Sequence, residues 1–225
     1  MTYPLTLYYA PDNASLCVRL ALLEARVPFE TVLVDRRSCA QRDDAYLALN
    51  PNGLIPVLVT PEGPMYETAA ILLWIADKGR NLFPAPSAPA RGAGLTWLFW
   101  LSNTLHPALR TVFYPDQYID ADPQALRICS RTRIGEMLDQ LEAHADWLDT
   151  PSGILAAYLA PMLRWMALYG GDNGWFDLSA RPRLLSFVAT YETTAPVFAA
   201  AMAEGLGPTP FSSPCLPNPP QGSAT

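Results

Sequence analysis

The stretch LTLYYAPDNASLCVRLALLEARVPFETVLVD, residues 5–35, decides the fold of this chain. Its first five residues, LTLYY, are apolar and aromatic and read as a short strand. Pro11 and Asp12 break that strand, and Asn13 or Ser15 is placed to cap a helix beyond them. Leu16, Leu20, Leu23 and Val27 then lie along one face of that helix. PFETVLVD, residues 28–35, reads as a second strand. Strand, helix and strand in this order make a crossover unit with parallel strands. The corner YYAPDNASLC, residues 8–17, is therefore a helix N-terminus, where free N–H groups favour an anionic ligand.

Outward from this unit, residues 36–49 are polar and then mildly helical. NPNGLIPVLVTPEG, residues 50–63, combines turn residues with a short strand at Val57–Val59. Met65 and Tyr66 suit a hairpin partner. Glu67 and Thr68 open a strong helix that Gly79 closes as a C-cap. The first 80 residues thus read β-α-β-α-β-β-α. A Pro-rich linker occupies residues 81–90, and beyond it no strand is expected. Residues 90–114 are helical with a kink at Pro107. Asp122 and Pro123 start a helix running to about Trp147. Residues 153–169 form a helix with Pro161 inside it. Further helices begin near Pro182 and Pro196. The predicted organisation is an α/β unit over 1–80, an all-α unit over 91–206, and a Pro-rich tail, extended or disordered, over 207–225.

Composition narrows the function. The chain has 225 residues, half of them apolar and 16% charged, with a net charge of −6. That length can bury a large core, and an acidic balance without basic runs argues against nucleic acid. The N-terminal residues carry no basic, apolar leader. The greasiest windows, AAILLWIAD and LTWLFWL, are shorter than the ~20 residues of a membrane span. The four cysteines, Cys17, Cys39, Cys129 and Cys215, are far apart and contain no CxxC pair. No disulfide framework or metal site is expected, and a reducing cytoplasm is the expected location.

Five motifs in order, LYYAPDNASLCVRLALLE, NPNGLIPVL, YETAAILLWIAD, LHPALRTVFYP and APVFAAAMAEG, carry a resemblance that covers residues 4–206. The chain resembles the glutathione S-transferase superfamily and is most similar to bacterial beta-class-like members, as a divergent one. The resemblance implies a thioredoxin-like N-terminal domain, an all-helical C-terminal domain, glutathione as cosubstrate, and a homodimer. It implies a cis Ile55–Pro56 bond, with Ile55 pairing to an extended peptide through its main chain. From the residues alone, Glu67 and Thr68 read as a surface acid and a helix cap. The resemblance turns them into receivers of the γ-glutamyl ammonium and carboxylate. It also places His106 near the glutathione thiol. Trp165 reads as core, and Arg36 and Arg37 as a solvated loop or as ligands of the glycine carboxylate.

A transferase must form a thiolate from a thiol of pKa about 8.5. A helix N-terminus and a hydrogen-bond donor to sulfur would do this, and Ser15 is the first candidate for that donor, with Asn13 or Tyr9 in support. Strand alternation allows only one of Tyr8 and Tyr9 to face the site, and the family pattern favours Tyr9. Ala14 stands where beta-class members carry a cysteine, and Cys17 reads as a buried, inert thiol. The family's capping box is also absent, with Gly153 and Ala156 in its place. The expected function is activation of glutathione for attack on a small hydrophobic electrophile. A glutathione-dependent reductase or isomerase is an alternative, as is a non-catalytic binding or interaction module.

Overall fold

The computed structural model describes residues 5–79, 81–171 and 174–220. Parts of the expected organisation, residues 1–4, the boundary at residue 80 and the last five tail residues, lie outside the described residues. Strand β1 (Leu5–Tyr9) is joined by helix α1 (Ser15–Ala25) to β2 (Phe29–Leu33), and β1 and β2 pair in parallel with Leu5 opposite Phe29. A short helix α2 (Asp44–Leu47) leads to β3 (Val57–Thr60) and β4 (Gly63–Met65). β3 runs antiparallel to both β1 and β4, which sets the strand order β2-β1-β3-β4. Helix α3 (Thr68–Lys78) packs beside α1 on one face of the sheet. This is the thioredoxin-like arrangement, and an all-helical unit comes after it: α4 (Arg91–Trp100), α5 (His106–Phe113), α6 (Pro123–His144), α7 (Gly153–Leu168), α8 (Pro182–Tyr191) and α9 (Ala195–Glu204).

The two-residue period of β1 divides the core. Leu5, Leu7 and Tyr9 are buried against the main apolar cluster that continues into α7, α8 and α9. Tyr8 points the other way, onto Tyr46 beside Val34 and Val57. Helix α7 is the hub. Its residues from Gly153 to Met166 are all buried, so no polar face remains on it. Among the described residues no helix is long and apolar enough to cross a membrane.

Several local expectations change in the structure. Neither Asn13 nor Ser15 caps α1 by side chain. Ala14 is the cap residue, Ser15 is already helical, and Asn13 Oδ1 accepts from the Ala14 N–H at 2.8 Å. Likewise Glu67 occupies the cap position of α3 and Thr68 is its first helical residue. Gly79 ends α3 in an extended conformation, φ −88°, so left-handed freedom is not why glycine is there. Space is: a Cβ would meet Leu82 Cδ1 at 2.9 Å. The irregularity expected at Pro107 lies one turn earlier, as a π-helical segment over Leu101–Leu105. The wider turn accommodates a proline whose missing N–H cannot join the helical ladder.

The missing capping box is replaced from a distance. Gly153 donates its N–H to Glu24 Oε1 on α1 at 2.6 Å, and Ile154 donates to the Leu82 carbonyl at 3.0 Å. Two of the otherwise free N–H groups at the start of α7 are thus satisfied from outside the helix. The tail is irregular through residue 220, yet it is pinned. Phe211 is buried against Tyr191, and Glu192 accepts from the Phe211 and Ser212 N–H groups. The Asn218 N–H returns to the Gly205 carbonyl at 2.8 Å.

Candidate functional site

A cleft of about 800 Å³ opens between the C-terminal end of β1, the loops flanking β3, and the helices α5 and α7. One wall carries Leu54, Ile55 and Pro56, and the Ile55–Pro56 bond is cis. The same wall carries Glu67 and Thr68 at the start of α3. Thr68 is buried, while Glu67 is exposed with φ 72°, a left-handed value uncommon for a non-glycine residue. The start of α3 is therefore open to the cleft with an acid beside it. Asn13 and Ala14, at the start of α1, form the next edge. Two helix N-termini thus converge on one space, each carrying partial positive charge.

The three residues expected to activate a thiol are not equivalent. Asn13 lines the cleft. Ser15 is fully buried, donating its hydroxyl to the Ala10 carbonyl at 3.0 Å and accepting from the Ala10 N–H at 3.3 Å. It staples the corner shut from beneath instead of facing the cleft. Tyr9 shares the core face of β1 with Leu5 and Leu7, and the Arg19 guanidinium lies 4.5 Å from its ring centre. Burial pushes the Tyr9 phenol above its ordinary pKa. The first helical turn and the strand period thus direct Ser15 and Tyr9 inward. Cys17 is also fully buried, and burial pushes its thiol well above the usual range.

His106 reaches the cleft floor from α5 beside Ser102 and Tyr158. Its Nδ1 lies 3.0 Å from the Tyr158 hydroxyl, and its ring packs against Trp165 at 5.7 Å. Burial, reinforced by the Arg110 charge, lowers its pKa to about 4. The imidazole is neutral at pH 7, which suits a hydrogen-bond acceptor better than a cation. An unfolded histidine protonates near pH 6.5 and the folded one near 4, so acidification across that window favours unfolding. Wild type is expected to lose on the order of 2 kcal/mol more stability than His106→Asn between pH 7 and pH 4, measured by urea unfolding at both pH values.

Of the remaining candidates, Arg36 lines the cleft and Arg37 does not. Trp165 lines it and donates its Nε1–H to Asp12 Oδ1 at 3.0 Å. Sequence reasoning passed over Arg42, Arg110, Tyr158 and, above all, the ion cluster behind the corner. Asp12, with φ 52°, accepts from Arg164 Nε at 2.8 Å and from the Tyr169 hydroxyl at 2.6 Å. Its own N–H donates to Glu204 Oε2 at 2.9 Å, and Glu204 Oε1 accepts from Arg19 Nε at 2.7 Å. Arg164 also donates to the carbonyls of Pro210 at 2.9 Å and Cys215 at 2.7 Å. Two guanidinium and two carboxyl groups are buried together, with burial pushing the Glu204 pKa up to about 7 against the pull of Arg19, and α7, α9 and the tail grip the corner that carries Asn13. The overlooked signal was a single charge in each of two apolar helices, Arg164 in MLRWM and Glu204 in AAAMAEG.

Fold and cleft together define a glutathione-transferase architecture, and comparison with known proteins agrees. A family model described as the glutathione S-transferase N-terminal domain matches residues 14–78. Glutathione S-transferase GST-4.5 of Xanthomonas campestris pv. campestris is 32% identical over 209 residues, covering 89% of this chain and 98% of that protein. A glutathione transferase homologue from Sulfitobacter, solved with bound glutathione, superposes with a TM-score of 0.76 at 25% identity, covering 87% of this chain and 96% of that one. A bacterial beta-class glutathione S-transferase from Sphingomonas chungbukensis gives 0.72 at 28% identity, covering 87% and 96%. The chain belongs to the glutathione S-transferase family.

Proposed function

We propose that this protein is a glutathione transferase that binds glutathione along the Ile55–Pro56 wall and activates its thiol at the α1 N-terminus. The observation that carries this reading is the convergence of that wall, the Glu67–Thr68 start of α3, and the Asn13–Ala14 edge on one cleft. The γ-glutamyl carboxylate would take the α3 N–H groups and the Thr68 hydroxyl, and Glu67 would hold the ammonium. The extended peptide would lie beside Ile55. Its thiol would then sit at the α1 N-terminus, where the dipole favours the thiolate. Asn13 is the one expected donor that lines the cleft, so its side-chain amide is assigned to the sulfur. Neutral His106 would lie across the cleft. A small hydrophobic electrophile would enter between α5 and α7, against Phe113, Trp165 and Tyr169. A homodimer belongs to the same proposal, supported by exposed Phe99 on α4 and Ile128 on α6.

Ala14 offers no thiol for a mixed disulfide with glutathione, which favours transfer over thiol exchange. Two substitutions separate binding from activation. Glu67→Ala is expected to raise the glutathione KM by about 10-fold or more with a smaller change in kcat, because it removes a charge-assisted contact made before and during reaction. Asn13→Ala is expected to lower kcat about 10-fold and to raise the bound thiol pKa, read from thiolate absorbance against pH. A bound thiol that titrates at its free value in the wild type sinks the activation step. Absence of glutathione binding by calorimetry at millimolar ligand sinks the whole reading.

A further inference from the structure

The two ends of the cleft differ in charge chemistry. Arg42 lies over Gly53, where a Cβ would meet its guanidinium nitrogen at 2.9 Å. That position belongs to the wall assigned to glutathione. Arg36 instead reaches across to Tyr114, at the end of α5, and donates to its hydroxyl at 3.5 Å. Arg110, on α5 itself, sits 5.6 Å from the centre of the same tyrosine ring. Its remaining contacts are the Tyr118 hydroxyl at 3.1 Å and Gln117 Oε1 at 3.3 Å. Two guanidinium groups thus flank Tyr114, Arg36 from the loop after β2 and Arg110 from α5 on the acceptor side, both half-buried and both lining the cleft.

Neither group has a carboxylate partner among the described residues. Of the carboxylates lining the cleft, Asp12 is held by buried Arg164, and Glu67 belongs to the opposite wall. The protein as a whole is acidic, with a net charge of −6. Distant surface charge is nevertheless screened beyond about 10 Å, whereas charges inside a cleft are screened less. The Arg110 charge already acts inside the cleft, since it contributes to the depressed pKa of His106.

We propose that the acceptor half of this cleft selects electrophiles bearing a carboxylate, held between Arg36 and Arg110 beside Tyr114. The inference rests on the reading of this cleft as a glutathione site. The apolar body of such an acceptor would lie on Phe113 and Trp165, with its reactive carbon toward the α1 corner. For a chloronitrobenzoate, the glutathione sulfur forms a bond to the ring carbon carrying chlorine. The carbon–chlorine bond then breaks, chloride leaves with the electron pair, and the thiol proton passes to solvent. No oxidant or further reactant is needed.

The test is calorimetric titration with S-(4-carboxy-2-nitrophenyl)glutathione and with the methyl ester of its aryl carboxyl, alongside glutathione itself. The acid conjugate is expected to bind about 10-fold more tightly than the ester at low ionic strength, with the ratio shrinking as salt is added. In the Arg36→Gln/Arg110→Gln double variant the ratio is expected to fall to about one. Circular dichroism and a thermal melt establish that the variant is folded; if it is not, Arg110→Gln alone and the salt dependence of the wild type carry the test. A wild-type ratio of one or below, or a ratio unchanged in a folded variant, overturns the inference while leaving glutathione binding intact. Failure of glutathione and both conjugates to bind overturns the function reading and the inference with it.

Discussion

Replacing Arg164 by methionine is expected to lower the unfolding free energy by about 3–5 kcal/mol. Methionine matches much of the packing volume, so the loss comes from charge and hydrogen bonding. Asp12 would keep the Trp165 and Tyr169 donors, but its charge would be buried without a cation. The carbonyls of Pro210 and Cys215 would lose their shared donor as well. Urea unfolding gives the magnitude, and amide hydrogen exchange over residues 207–220 should rise in the variant. Arg164→Lys should recover little, because one ammonium cannot match a guanidinium that serves a carboxylate and three separate carbonyls. Adding Asp12→Asn to the methionine variant should restore part of the loss, since it removes the orphaned charge. A methionine variant within ~1 kcal/mol of wild type would show that the buried cluster contributes no net stability.

Gly153→Ala is expected to cost roughly 3–5 kcal/mol, for two additive reasons. The residue has φ 71°, where an alanine is strained. Its Cβ would also fall 2.1 Å from the Leu82 carbonyl oxygen, which is main chain and has little freedom to withdraw. That carbonyl accepts from the Ile154 N–H, so relief of the clash breaks the long-range cap of α7. A protein of this size loses about 2–4 °C of Tm per kcal/mol, so a melting curve should drop by about 10 °C. Gly92→Ala is the matching control. Nothing lies within 4 Å of its Cβ position, so it should be neutral or slightly stabilising.

The parts of this protein written in local pattern were legible in its sequence. The alternation in LTLYY, the apolar stripe from Leu16, and the Asp122–Pro123 helix start each depend on neighbours within one or two turns. Asp122 indeed accepts from the Ala125 N–H at 3.0 Å. Hydrogen bonding over long separations was not legible. The absent capping box looked like a defect because the box is local, whereas Glu24 supplies an acceptor from 129 residues away. Ser15 looked available because a serine at a helix start usually faces a ligand or caps the helix. Its hydroxyl instead turns back five residues to Ala10, a choice set by the tight β1–α1 turn. The pairing of Arg36 and Arg110 carried no signal either, since Arg36 meets Tyr114 only across 78 positions of chain.

The grip of Arg164 and Glu204 on Asp12 also bears on how the molecule comes into being. A corner built from the first dozen or so residues is closed by side chains 152 and 192 positions further along. During synthesis at roughly 5–20 residues per second, that interval lasts on the order of ten seconds or more. A nascent chain can therefore hold its thioredoxin-like sheet and still lack a finished cleft until residues near 215 have emerged. Closure of the corner would come abruptly, once the segment that carries Pro210 and Cys215 has been made, and not by degrees.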